Sequence, residues 1–439
     1  MVMRHEVVKE DAALFEPLIR TGKGFYITVA VLLAIIVLGG YAYLCQLIHG
    51  LGSTGLSRPV FWGLYMTNFV FFIGISHAGT LVSAILRVTG AEWRRPITRA
   101  AEAITVFVLP IGALQVIIDL GRPDRVLNVF RYGRLQSPLL WDVISICVYL
   151  MTCISYLYLP LIPDIALCRD ELQDVPRWRK RLYKMLSLGW TGTEKQWKRL
   201  EKGIDILAVL VIPIAVSVHT VVGWVWGMAI VPGWNSAIIG PYFVVGAVFS
   251  GIASVLIAIA IIRKVFHLEG YLKPVHFNNL GLLLIVMVLF WSYFTVADYL
   301  TEIYGNEPAH MSVLLSKFTG EFAPYFWAMT ICNFPIPFLL LFSRRTRTMT
   351  GTVVAAILVI IGMWLERFTI IIPSLTRPRL SYGIGFYHPT WVEISIMAAS
   401  FAAFILLYVL FAKVFPIVSI WEVREGREKA LWELERLEQ

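Results

Sequence analysis

What most constrains this chain is that ten separate stretches of it are long and apolar enough to cross a bilayer. They fall at 25–47, 60–86, 100–118, 141–161, 203–226, 241–262, 277–300, 323–342, 350–371 and 391–415. A helix needs about 20 residues to cross roughly 30 Å of hydrocarbon. Inside hydrocarbon every backbone N–H and C=O must be satisfied within the segment, so such runs fold as helices. The expected fold class is therefore all-α: a polytopic membrane protein with ten transmembrane helices. A hydrophobic content of 58% and a charged content of 15% fit that class. The first run follows a charged segment, 1–24, and no small-residue cleavage site comes after it, so it reads as a retained helix and not a signal peptide. Pro110, Pro213, Pro335 and Pro337 lie inside runs, where neighbouring helices can satisfy the freed carbonyls.

Charge supplies the orientation. The segments on the N-terminal side of the membrane hold 28 Lys and Arg, and the opposite loops hold 8. By the positive-inside rule both termini are expected in the cytoplasm and the protein in the cell membrane. The net charge of +9 is then topogenic bias plus attraction to anionic lipid, and no separate basic domain suggests nucleic acid. No GxGxxG or P-loop is present. Cys45, Cys147, Cys153, Cys168 and Cys332 lack CxxC spacing, so no iron–sulfur cluster is expected in this chain.

The polar segment 162–203 interleaves Arg177, Arg179, Lys180, Arg181 and Lys184 with Trp178, Leu182, Met185 and Trp190, the pattern of an interfacial amphipathic helix. Thr191 and Glu194 suggest a capping box for the fifth span. Within the tail 416–439, residues 421–439 alternate Glu and Arg and suggest a short exposed helix. The segment 74–84 aligns with 246–256, small residue against small residue. On that alignment spans 2–5 (60–226) and 6–9 (227–371) form two related four-helix bundles. Span 1 (25–59) and span 10 (372–415) flank them. Phe249 stands in the second copy where His77 stands in the first, so chemistry is expected in the first bundle.

Ionisable groups in spans are costly unless they face a bundle interior, which makes them the functional candidates. His77 sits among small residues in Gly74-Ile75-Ser76-His77-Ala78-Gly79-Thr80. Asp119, Asp142 and His219 fall in the outer half of spans 3–5, and Glu102 and Asp205 in the inner half. Histidine and carboxylates exchange protons near neutral pH. Each has a structural alternative. His77 could bridge helices, and His219 could bond a carbonyl freed by Pro213. Asp142 could favour the dipole of a helix begun by Ser137-Pro138. Asp119 opposes the dipole at a helix C-terminus and would need Arg122 or Arg125. Glu102 and Asp205 could reach interfacial water. Asp298, Glu366 and Arg367 suggest a polar cluster in the second bundle, with Glu366 and Arg367 pairing with Asp298.

Ser76-His77-Ala78-Gly79-Thr80, Gly121-Arg122-Pro123, Ser137-Pro138-Leu139-Leu140-Trp141-Asp142 and Met363-Trp364-Leu365-Glu366-Arg367-Phe368 together resemble the NrfD/PsrC family of membrane quinone-binding subunits. The likeness covers roughly 25–415. Ten spans look like its longer branch, closer to the DsrP and Hdr-like menaquinol oxidoreductase (HmeB) kind than to alternative complex III or Qrc. The resemblance implies menaquinone bound as substrate in the first bundle by His77, Asp119, Asp142 and His219, and no haem or cluster in this chain. It also implies an iron–sulfur, ferredoxin-like partner on the outer face, with other membrane, cytochrome or Hdr-like subunits. Glu102 and Asp205 are where a proton path from the cytoplasm would begin. Two other readings stay open: a b-type cytochrome with His77 and His219 as axial ligands, against which the histidines look offset in depth, and a secondary transporter built on the repeat.

Overall fold

A computed structural model describes residues 11–172, 175–379 and 383–438. The first ten residues of the expected N-terminal segment, and Gln439, lie outside these. Ten of its helices are long and apolar enough to cross a membrane. They are α2 (Lys23–His49), α3 (Leu64–Val88), α4 (Thr98–Asp119), α5 (Pro138–Glu171), α7 (Glu194–Gly227), α8 (Ile239–Val265), α9 (Pro274–Gly305), the pair α11 (Ala323–Asn333) and α12 (Pro335–Phe342), α13 (Met349–Thr376) and α14 (Trp391–Val414). Shorter helices are α1 (Ala12–Ile19), α6 (Arg177–Leu186) and α10 (Pro308–Phe318), and α15 (Ile420–Glu438) closes the chain. All ten expected spans are present and no strand occurs among the described residues.

The differences are local and have causes. α5 and α7 overrun their apolar segments, so that much of 162–203 is helix. α5 continues through Pro160 and Pro163 to Glu171. The cap of α7 is Thr193, whose hydroxyl accepts from the Gln196 N–H while Gln196 reaches back, two residues beyond the expected Thr191. Phe334-Pro335 divides the eighth span into α11 and α12, because proline has no N–H to continue the ladder. The expected amphipathic helix is present as α6, with Trp178 and Met185 exposed beside its basic residues.

α3 is the central helix, packed against α4, α7, α8 and α13, while α2 pairs with α14 at the periphery. Lipid supplies no hydrophobic drive between helices, so close approach of small residues does the work. Gly79 is such a place: a Cβ there would lie 1.8 Å from the Ala101 carbonyl oxygen. The segments aligned as a repeat meet each other, with Gly74 against Ala247 and Ser250.

The tail is not simply an exposed helix. Its first turn is buried, and Asp164 caps it by accepting from the N–H groups of Ile420 (2.9 Å) and Trp421 (3.0 Å). Arg99 bonds Asp164 and also donates to the carbonyls of Pro160 (2.9 Å) and Pro416 (3.3 Å). Further along α15, Arg95 joins Glu425 at 2.9 Å, and Arg424 joins Asp11 at 2.8 Å. Arg95 also bonds Glu92, and that hydrogen bond holds the Glu92 carboxyl below its usual range.

Candidate functional site

The polar residues of α3 recur on one stripe. Ser76 and Ser83 are seven residues apart, two helical turns, and Tyr149 and Tyr156 repeat the spacing on the facing helix α5. At the first level the Ser76 carbonyl accepts from Thr105 Oγ1 (2.6 Å) and Tyr149 OH (3.0 Å). Two turns along, Ser83 Oγ donates to Glu102 at 2.6 Å and lies 3.4 Å from Tyr156 OH. Glu102 is buried, with Arg99, Arg94 and Glu422 within electrostatic reach.

His77 and His219 are both fully buried and they touch. His219 Nδ1 lies 3.2 Å from His77 Nε2, and the rings meet edge to face with centroids 4.0 Å apart. Sequence position had suggested an offset in depth. The contact arises because α3 and α7 pack directly and run through the same level at these residues. The Tyr149 ring packs tilted against His77, 4.8 Å between centroids. Both ring nitrogens of His77 face backbone carbonyls, Nδ1 that of Ile73 (2.8 Å) and Nε2 that of Ala215 (2.7 Å). His219 Nε2 is different: it is buried and has no hydrogen-bond partner among the described residues. A buried, unsatisfied ring nitrogen costs roughly 1–3 kcal/mol, and that cost is recovered when a ligand or water bonds it.

Among the other orphaned atoms are two carboxylate oxygens, Asp119 Oδ1 and Asp142 Oδ1. Neither acid is hydrogen-bonded or ion-paired to the histidines among the described residues. Asp142 lies in the first turns of α5, as expected, but Ser137 makes no side-chain cap bond there. Asp119 does not obtain its expected counter-charge. Gly121 adopts a positive φ of 65° and turns the chain away, and Arg122 bonds Asp124 on the surface instead, at 3.0 and 2.9 Å. Asp119 instead faces the α2 and α14 side, where Gln46 donates to the Ile118 carbonyl (2.9 Å) and accepts from Tyr65 OH (2.6 Å). Asp205 is on the exposed side of α7, bonded to Arg87 at 2.9 Å, so of Glu102 and Asp205 only Glu102 lies in the core.

In the second half Glu366 and Arg367 are buried neighbours 2.9 Å apart, and Trp291 Nε1 donates to Glu366 at 2.5 Å. The Arg367 guanidinium stacks on Phe243 and fits where Gly246 has no side chain: a Cβ there would be 2.6 Å from Nη2. It also lies within electrostatic reach of His219. The expected pairing with Asp298 is not made. Asp298 accepts from Ser236 at 2.8 Å in a separate group with buried Lys317, because α9 carries Trp291 at the Glu366 level and Asp298 two turns further out. Two turns along α7 from His219, Trp226 forms a cluster with Trp62 and Trp234, with centroids 4.5–5.8 Å apart.

Comparison with known proteins gives consistent matches. The family described as polysulphide reductase, NrfD, matches residues 52–379. A putative membrane subunit of a dimethyl sulfoxide reductase from Halobacterium salinarum is 26% identical over 85% of this chain and 87% of its own length. A selenate reductase subunit from Mesobacillus selenatarsenatis is 26% identical over 90% and 94%. An Hdr-like menaquinol oxidoreductase integral membrane subunit from Archaeoglobus fulgidus is 24% identical over 92% and 96%.

Proposed function

This chain belongs to the NrfD family, and from that premise we propose that it is the membrane subunit of a respiratory reductase or oxidoreductase complex, binding menaquinone or menaquinol. Three relatives support the reading, two of them named as membrane subunits and one of these as part of a menaquinol oxidoreductase. The observation that carries it is the buried histidine pair with one unsatisfied nitrogen. His219 Nε2 is the atom free to bond a quinone oxygen. His77, whose single N–H donates to one of the two carbonyls it faces, is the positioning residue that fixes the His219 ring. The quinone supplies the redox chemistry; the protein orients it and excludes water. Asp142 and Asp119 keep oxygens available in the outer half for the protons that quinol oxidation releases or quinone reduction consumes. Glu102, through Ser83 and Tyr156, is the start of an inner proton path; Asp205, on the exposed side of α7, is the point at which it opens to water.

In this reading the termini are cytoplasmic, the membrane is the cell membrane, and an iron–sulfur partner docks on the outer face above the tryptophan cluster and takes or gives the electrons. The axial-ligand alternative would require His77 to give up its bond to Ala215. The test is purification of the chain with its co-assembling subunits, followed by menaquinol-dependent electron transfer and a visible spectrum of the isolated chain. Quinol-dependent turnover with no haem band in this chain is expected. A haem b band in the isolated chain, or a complex indifferent to quinol, would contradict it.

A further inference from the structure

On the face that carries α6 and α15, far along the chain from the histidine pair, a cavity of about 420 Å³ opens between the end of α5, the start of α7 and the first turns of α15. Three indoles line it. Trp190 meets Trp197 edge-on at 5.1 Å, and Trp197 meets Trp421 at 5.3 Å. They are held in place: Trp421 Nε1 donates to the Pro160 carbonyl at 2.8 Å, and the Trp190 carbonyl accepts from Arg169 at 3.1 Å. Four acids share the lining, Asp170, Glu201, Glu425 and Glu428. Two of them are already engaged, Asp170 by Arg169 (2.8 Å) and Glu425 by Arg95 (2.9 Å) and Lys429 (2.8 Å). Glu201 and Glu428 are exposed and make no ion pair among the described residues. The cationic lining residue, Arg424, is bound to Asp11.

The cavity thus offers aromatic surface and two uncommitted carboxylates, with its own cation neutralised. That combination suits a cation on a short apolar stem, because the ring quadrupoles and the carboxylates attract the same charge. The surroundings select its source. α6 presents exposed Trp178 and Met185 at the level of an interfacial helix, and indoles favour headgroup depth. The first turns of α7 carry Lys195, Arg199 and Lys202, with Lys198 paired to Glu194, a basic belt that repels a basic peptide but suits a lipid phosphate. We propose that this cavity binds an alkylammonium group, supplied by the ethanolamine headgroup of a lipid in the adjoining leaflet. The phosphate then lies toward the basic belt and the ammonium enters between the tryptophans and Glu201 and Glu428.

The test uses the full chain in nanodiscs containing phosphatidylethanolamine, its N-acetylated form or phosphatidylglycerol, with retained lipid read by native mass spectrometry. Phosphatidylethanolamine is expected to be retained over both others. The Glu201→Gln/Glu428→Gln double variant should lower that retention up to about tenfold, the scale of losing two exposed charge contacts while the tryptophans remain. Its melting temperature should be unchanged, since both acids are exposed. Equal retention of the N-acetylated lipid, or retention unaffected by the double variant, would overturn the assignment. So would a lysine-rich peptide held by the wild type while phosphatidylethanolamine is not.

Discussion

Asp164→Ala should detach the C-terminal helix from the membrane domain. Asp164 is fully buried and serves two partners at once, the buried Arg99 guanidinium and the first N–H groups of α15. Removing one member of a buried ion pair costs about 3–5 kcal/mol, because the remaining charge is left without compensation. Loss of a helix cap adds about 1 kcal/mol, though the two losses share one side chain and do not simply sum. Taking the lower figure, about 3 kcal/mol of local stability is about a hundredfold in the opening equilibrium. Hydrogen–deuterium exchange across Ile420–Lys429 should therefore accelerate about a hundredfold in this variant. Asp164→Asn keeps one acceptor oxygen for the cap but not the charge, and should fall between. Arg99→Met/Asp164→Leu removes both charges, so core stability should return toward wild type while the α15 amides stay fast. Unchanged exchange in Asp164→Ala would refute the reasoning, since the helix would then be held by its apolar contacts and by the Arg95–Glu425 and Arg424–Asp11 pairs.

Other outcomes follow from the same geometry. Gly79→Ala places a Cβ 1.8 Å from the Ala101 oxygen and 2.3 Å from Thr105 Oγ1, so it should cost at least about 1–3 kcal/mol, read as a lower melting temperature and reduced yield. Glu102→Gln should leave quinone content intact but lower proton translocation per electron in proteoliposomes; a complex that shows only scalar proton exchange in wild type would remove the relay role. The depressed Glu92 carboxyl contributes stability that is full above its usual value of 4.5 and is lost as pH falls through the lower folded value. Exchange at α15 should thus rise only below pH 4.5, and rise less in Glu92→Gln. A cysteine at Gln196 should resist an impermeant thiol reagent in intact cells while one at Gly305 reacts; the reverse pattern would invert the orientation.

The ten spans were legible because length and apolarity are set by the bilayer and need no tertiary information. Pro335 marked the break in the eighth span, but whether the helix would kink or stop depends on its neighbours. His77 stood out as a titratable group among small residues. Its contact with His219 did not, because depth counted along each helix ignores how α3 and α7 are shifted against one another. The repeat of seven linking Ser76 to Ser83, and Tyr149 to Tyr156, was present in the sequence as a signal for the polar stripe, and it went unused. Asp164 and Arg99 lay at the edges of apolar runs, where charges are common and give no sign of being buried. Asp119 was paired on paper with the nearest arginines in sequence, but the positive φ at Gly121 sends them elsewhere. Glu366 and Arg367 were correctly grouped, while Asp298 was drawn to them by polarity alone.

The central claim is that His219 Nε2 receives the quinone and His77 holds it in place. The most direct measurement compares His219→Ala and His77→Ala in the purified complex, reading bound quinone and menaquinol-dependent electron transfer after confirming that all subunits are present. The account predicts that His219→Ala loses both bound quinone and turnover. His77→Ala, lacking only the ring that fixes His219, should retain part of the bound quinone while its turnover falls steeply. Full turnover in an assembled His219→Ala complex would contradict the account.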